Sequence, residues 1–226
     1  MSPDFQIGFL MFPNMTQLDL AGPAQVLCRV PGVRVYYVGR TLDPVATDAG
    51  FQMVPTATFA DCPPLDVVCV PGGPGVGDLL TDDETLAFLR RQGSRAKYVA
   101  SVCTGALVLG AAGLLDGYQS ACHWLFRSYL PLFGAHPAKA RVVRDRNRFS
   151  GGGVTAGIDF ALALAAELVG EETARMVQLA LEYDPQPPFD CGSPEKAGRD
   201  RVERYRTFQE GRIRTLEAQL KQALHH

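Results

Sequence analysis

The 226-residue chain has no apolar run of membrane-spanning length, no basic segment ahead of an apolar one at its N-terminus, no Cys-x-x-Cys pair and only four histidines. Its longest apolar stretches, such as Ala161 to Val169, fall well short of the roughly 20 residues that a membrane helix requires. A secretory leader needs the basic region that is missing here, so the expectation is a cytoplasmic protein with no membrane partner. The six cysteines, Cys28, Cys62, Cys69, Cys103, Cys122 and Cys191, are not spaced with histidines in a zinc pattern, and neither a disulfide scaffold nor a metal site follows. With 20% charged residues and a net charge of -2, there is no electrostatic footprint for nucleic acid. Small neutral molecules are the default partners. Internal repeats and low-complexity segments are also missing.

What is present is enough apolar residue, 46% of the chain, to bury one good core, and one domain with a tail is expected. Short apolar runs recur at Gln6 to Phe12, Arg34 to Val38, Asp66 to Val70 and Tyr98 to Val102. Each suits a strand buried on both faces. Helical patterns lie between them at Leu20 to Val30 and Glu84 to Arg95. Alternating strands and helices predict an α/β fold with a mainly parallel sheet covered by helices. Lys139 to Arg148 reads as a strand or hairpin near the sheet edge, and Gly157 to Val169 and Glu171 to Tyr183 read as long helices. Asp184 to Pro194 carries too many prolines for either regular element and is expected to cross the surface as an extended strap. Beyond Arg199 the apolar residues Val202, Tyr205, Ile213, Leu216, Leu220 and Leu224 recur at helical steps. They predict one amphipathic helix, packed on its own domain or on a dimer partner. The domain is drawn at residues 1–195 and the helix at 196–226.

Three segments carry chemistry. Tyr98-Val-Ala-Ser-Val-Cys103-Thr-Gly-Ala is a buried strand turning at once into a helix of small residues, with the cysteine at the junction. That is the context of a nucleophile elbow. A thiol at a helix N-terminus is expected to have a lowered pKa; the alternative is a cysteine that merely fills a strand end. A second strand ends in Val70-Pro-Gly-Gly-Pro, so Gly72 and Gly73 offer N–H groups toward Cys103, as oxyanion donors or as a plain tight turn. Asp19, just past the first strand, is expected at the same sheet edge, either as a carboxyl that moves protons for the thiol or as a helix N-cap. Thr104, which follows the cysteine, can hydrogen-bond in the site but cannot serve as its base. His123, beside Trp124, reads as a packed, hydrogen-bonded histidine.

Taken together, Ser101-Val-Cys103-Thr-Gly, Pro71-Gly-Gly, Gln17-Leu-Asp19-Leu-Ala-Gly-Pro, His123-Trp124 and Gly151-Gly-Gly-Val-Thr-Ala-Gly-Ile-Asp159 resemble the bacterial isocyanide hydratases. These belong to the glutamine amidotransferase-like superfamily, with the Parkinson-associated deglycase-like and intracellular cysteine-peptidase-like proteins. The resemblance runs from about residue 5 to about residue 195. It implies a flavodoxin-like three-layer sandwich, usually a homodimer, with Cys103 as nucleophile, Asp19 as acid/base carboxylate, Thr104 in support, and Gly152 near the pocket at a mobile helix start. It further implies a cofactor-independent hydro-lyase that converts an isocyanide to an N-substituted formamide through a covalent cysteine thioimidate. The peptidase-like branch carries a histidine directly after its cysteine, where Thr104 stands here.

Two other functions fit parts of the pattern. Transcription regulators of the arabinose-operon type carry a sensor domain with the same Ser-Val-Cys-Thr-Gly context, but need roughly 100 further residues for DNA binding; about thirty follow Pro194. Glyoxalase or deglycase chemistry on the same fold is disfavoured by Asp19 and Thr104.

Overall fold

A computed structural model describes residues 5–225. The strands are β1 (Phe5–Leu10), β2 (Val33–Gly39), β3 (Val45–Ala46), β4 (Gln52–Met53), β5 (Ala57–Thr58), β6 (Val67–Val70), β7 (Tyr98–Val102), β8 (Gln119–Ser120), β9 (His136–Pro137), β10 (Val142–Asp145) and β11 (Arg148–Gly151). The helices are α1 (Gln17–Leu27), α2 (Val76–Leu79), α3 (Asp83–Gly93), α4 (Gly105–Ala111), α5 (Ala156–Val169), α6 (Glu171–Ala180), α7 (Pro194–Ala197), α8 (Arg199–Phe208) and α9 (Glu210–Leu224), with a 3-10 turn at Arg127–Phe133.

Seven strands form the central sheet in the order β10-β11-β7-β6-β1-β2-β5. All its pairings are parallel except the β10–β11 hairpin at one edge. Helices α1, α5 and α6 pack as one group, and α3 and α4 as another with the 3-10 turn, which gives the flavodoxin-like sandwich. The central strands explain why the sequence reads clearly. Val67, Val68, Cys69 and Val70 are buried along the whole of β6, and Val99, Ala100 and Val102 along β7, because a parallel sheet covered on both faces leaves no polar side. Helix α3 begins where Asp82 accepts a hydrogen bond from the backbone N–H of Thr85, which satisfies one of the donors orphaned at a helix start.

The C-terminal segment differs from the single expected helix. It divides at Gln209 into α8 and α9, after the short α7. The two halves have different packing partners, which is the reason for the break. Tyr205 of α8 lies against Trp124, ring centroids 5.7 Å apart, whereas Leu216 and Leu220 of α9 are buried in the main core and α9 packs along α2. A straight helix cannot serve both directions. No helix among the described residues is long and apolar enough to cross a membrane.

The chain runs from β1 out to β2 and then returns to β6 on the other side of β1. The carboxyl ends of β1, β6 and β7 therefore flank a crevice at the switch point of a doubly wound sheet, where such folds hold ligands.

Candidate active site

The residue after β7 is Cys103, and its backbone lies in the left-handed region, at φ 58. A side chain there costs on the order of 1–3 kcal/mol and persists only where its surroundings enforce it. Two features enforce it here. The Cys103 N–H donates to the Gly151 carbonyl at 2.9 Å, and Gly105 brings the first turn of α4 against the end of β6. A Cβ on Gly105 would sit 2.7 Å from the Pro71 carbonyl oxygen and closer still to that of Val70. Gly105→Ala is expected to destabilise the fold by about 2–4 kcal/mol, since backbone cannot yield as a flexible side chain does; urea unfolding measures it, and a loss below about 0.5 kcal/mol would contradict this packing.

Asp19 stands at the third position of α1, with Thr16 as the N-cap residue. It is therefore not the cap. The Thr16 hydroxyl turns away to Asp48 Oδ2 at 2.6 Å, while the Asp19 carboxyl is fully buried and reaches across to the turn that follows β6, where its Oδ2 accepts from the Gly72 N–H at 2.9 Å. Its Oδ1 has no aligned partner among the described residues. Burial raises the Asp19 pKa to about 7, against the opposing pull of the Gly72 N–H and of the Cys103 thiol beside it; Asp48 adds to the rise and Arg212 of α9 works against it.

The Cys103 thiol is also buried, and its pKa lies well above the ordinary value, because of burial first and then the neighbouring charge of Asp19. This corrects the expectation of a lowered thiol pKa. The Thr104 N–H favours the thiolate, but one short helix start does not offset desolvation beside a carboxylate. The thiol is thus held toward its protonated form, beside a carboxyl whose pKa is pushed up to about 7.

Gly72 and Gly73 also depart from expectation. Their N–H groups are engaged, Gly72 with Asp19 and Gly73 with Thr104 Oγ1 at 3.0 Å. In this structure they orient the site's side chains and do not present free donors to an attacked atom. A Cβ at Gly72 would lie 2.6 Å from Thr104 and 2.8 Å from Asp19, so only glycine lets β6 approach both. Gly152 donates to the Arg141 carbonyl at 2.8 Å and lines a cavity of about 400 Å³ with Cys122 and His123. His123 accepts from the Leu125 N–H through Nδ1 at 3.3 Å, and burial, helped by Arg212 and Arg127, lowers its pKa to about 4. It is neutral at physiological pH. A larger cavity, about 670 Å³, lies near Arg40 and Asp82 and is lined by none of Cys103, Asp19 or Thr104; volume is not the guide to the chemistry here. No cluster of metal-ligating side chains occurs among the described residues.

The raised Asp19 pKa also affects stability. A carboxyl at its ordinary 3.8 when unfolded and about 7 when folded holds a proton in the native state that the unfolded chain has already released. Stability therefore falls as pH rises from about 4 to about 7, by on the order of 4 kcal/mol. Asp19→Asn keeps an oxygen for the Gly72 N–H and removes the charge. Its stability advantage over the parent is expected to grow by about 2–3 kcal/mol between pH 5 and pH 8 in urea unfolding; a pH-independent difference would show that the carboxyl is not desolvated.

An elbow cysteine after β7 facing a buried carboxyl from α1 coincides with a match of residues 6–167 to the DJ-1/PfpI family. The chain belongs to the DJ-1/PfpI family. Within it, the chain is 60% identical over 192 residues to an isonitrile hydratase of Pseudomonas putida, covering 85% of this chain and 84% of the relative. A crystal structure of a ThiJ/PfpI family protein from Pseudomonas syringae superposes with a TM-score of 0.93 at 47% identity, over 96% of this chain and 90% of that one. The HTH-type transcriptional regulator GbdR of Pseudomonas aeruginosa is 34% identical over 185 residues; those residues cover 77% of this chain but only 48% of the regulator.

The sequence reading did not single out Arg212, whose charge acts on both Asp19 and His123. It lies on α9, beyond the segment that matches the family. An arginine in an amphipathic helix carries no local signal that its own face closes on a distant strand end.

Proposed function

We propose that this protein is an isocyanide hydratase, a hydro-lyase that adds water to R–N≡C to give R–NH–CHO. The observation that carries the reading is the buried Cys103 and Asp19 pair, a nucleophile beside a carboxyl that titrates near neutral pH. The 60% identity to the Pseudomonas putida isonitrile hydratase supports the choice of substrate.

In the proposed reaction, ionised Asp19 takes the thiol proton as the sulfur attacks the terminal isocyanide carbon. Asp19 then delivers that proton to the carbon, which gives the thioimidate R–N=CH–S–Cys103 and leaves the carboxylate ionised. A water molecule, deprotonated by Asp19, adds to the same carbon while the nitrogen receives the proton. The C–S bond of the tetrahedral species breaks as its hydroxyl proton returns to sulfur, releasing the formamide and the free thiol. Every proton taken is given back, and only this chain's own groups and one water take part. Thr104, held by the Gly73 N–H, supports the elbow, and Gly152 lies in the cavity wall.

We further read the enzyme as a cytoplasmic homodimer. Its six unpaired cysteines suit a reducing compartment, and Met176 and Leu179 on α6 are exposed apolar side chains. The likeness to GbdR keeps ligand sensing as the rival reading. Incubating the purified protein with a simple alkyl isocyanide and following formamide by chromatography separates them: catalytic formamide release is expected, and stoichiometric binding without release would favour the sensor.

A further inference from the structure

Helix α9 closes over the end of the sheet that holds the nucleophile. Leu216 and Leu220 anchor it in the core, the Gln219 amide donates to Asp78 at 2.7 Å, and the Tyr129 hydroxyl donates to Glu217 at 2.7 Å. This fixed helix carries Arg212 into the wall of a cavity of about 220 Å³ that begins at Gly73 and Thr104, the residue next to the nucleophile.

Arg212 is half-buried, and its guanidinium lies over the Phe126 ring at 5.1 Å. Arg214, two residues on, pairs with Glu210, but Arg212 makes no hydrogen bond or ion pair among the described residues. The remainder of the cavity wall, with Pro74, Val76, Thr215 and Leu216, holds no carboxylate. A guanidinium partly removed from water and left without an acid is a preformed fork for an incoming carboxylate. Its charge also reaches Asp19, the carboxyl of the reacting pair. Asp19 is faced by the Gly72 N–H, the Cys103 thiol, Asp48 and Arg212, and His123 by Arg127 and Arg212. Lys139 and Glu195 line the separate cavity near Gly152.

We propose that Arg212 determines specificity, holding a carboxylate on the R group of an isocyanide whose terminal carbon lies at Cys103. This rests on the hydratase reading and narrows its substrate class to isocyano-carboxylates. The cavity, of about 220 Å³, is lined by Thr104 and not by Cys103 itself, so the inferred substrate carries a short linker that passes Thr104 to reach the sulfur.

The test compares kcat/KM for isocyanoacetate with that for the neutral, equally sized isocyanoacetamide, in the parent enzyme and in Arg212→Gln and Arg212→Lys at one pH. Taking the ratio of the two substrates within each variant cancels any effect of the substitution on Asp19 or on the seating of α9. The parent is expected to prefer the carboxylate at least tenfold. Arg212→Gln is expected to lower that ratio tenfold or more through a raised KM for isocyanoacetate, and Arg212→Lys to retain an intermediate preference. Formamide produced from both substrates with a parent ratio near one, or a ratio unchanged in Arg212→Gln, overturns the inference and leaves the hydratase reading standing. No formamide from either substrate overturns the hydratase reading, and the inference with it.

Discussion

Cys103→Ala lowers formamide production from an alkyl isocyanide by at least about 10³-fold in kcat, because no other group in the site can form the covalent bond. Cys69 and Cys122 are buried nearby with thiol pKa values raised by burial as that of Cys103 is, so position separates them. Neither sits at the elbow. The variant is expected to fold, since alanine removes one buried sulfur and accepts the φ of 58 no worse than cysteine does. Cys103→Ser is expected to be similarly inactive, because an alcohol is a far weaker acid than a thiol and Asp19, near 7, cannot deprotonate it usefully. Steady-state formamide release, with circular dichroism as the fold check, decides the point. Residual activity above about one-tenth of the parent's would remove the covalent scheme.

Asp19→Asn carries the second large effect. Asn cannot accept the thiol proton or deliver it to carbon, so both halves of the reaction lose their proton carrier, and kcat/KM is expected to fall by about 10² to 10⁴-fold. The parent's own pH profile gives the matching signature. The free enzyme is active with Asp19 ionised, so kcat/KM rises with pH through about 7 and is lost below it as the carboxyl takes a proton. Asp19→Asn is expected to lose that limb along with the rate. The opposite pattern in stability, in which Asn gains at high pH, makes the pair of measurements hard to explain by misfolding. A variant that keeps the parent's pH limb would assign it to another group.

Much of the fold was legible because the parallel strands are buried on both faces. Val67 to Val70 reads as an unbroken apolar run, Tyr98 to Val102 as one interrupted only by Ser101, and the helices between the strands as periodic patterns. The elbow at Cys103 was legible for a related reason, since a strand that passes directly into Thr-Gly-Ala leaves few ways for the chain to turn. Less was legible where the answer depends on register between strands distant in sequence. Which carboxyl oxygen or hydroxyl the Gly72 and Gly73 N–H groups meet is decided by the alignment of β1, β6 and β7. The thiol pKa was not legible because helix position is a local property, whereas burial beside Asp19 is a tertiary one and has the larger effect. The break at Gln209 and the position of Arg212 have the same origin. Periodicity along the C-terminal segment shows an apolar stripe, but not that its two halves bury against different parts of the domain.

The central claim is that the isocyanide carbon passes through a bond to Cys103. Mixing the parent enzyme with excess alkyl isocyanide, quenching in acid at successive times and mapping the digested protein by mass spectrometry tests it most directly. The predicted result is a Cys103 peptide heavier by one intact isocyanide, present before formamide accumulates and gone when substrate is exhausted. Formamide appearing while the Cys103 peptide stays unmodified at every time, with Cys103→Ala turning over at the parent's rate, would contradict it.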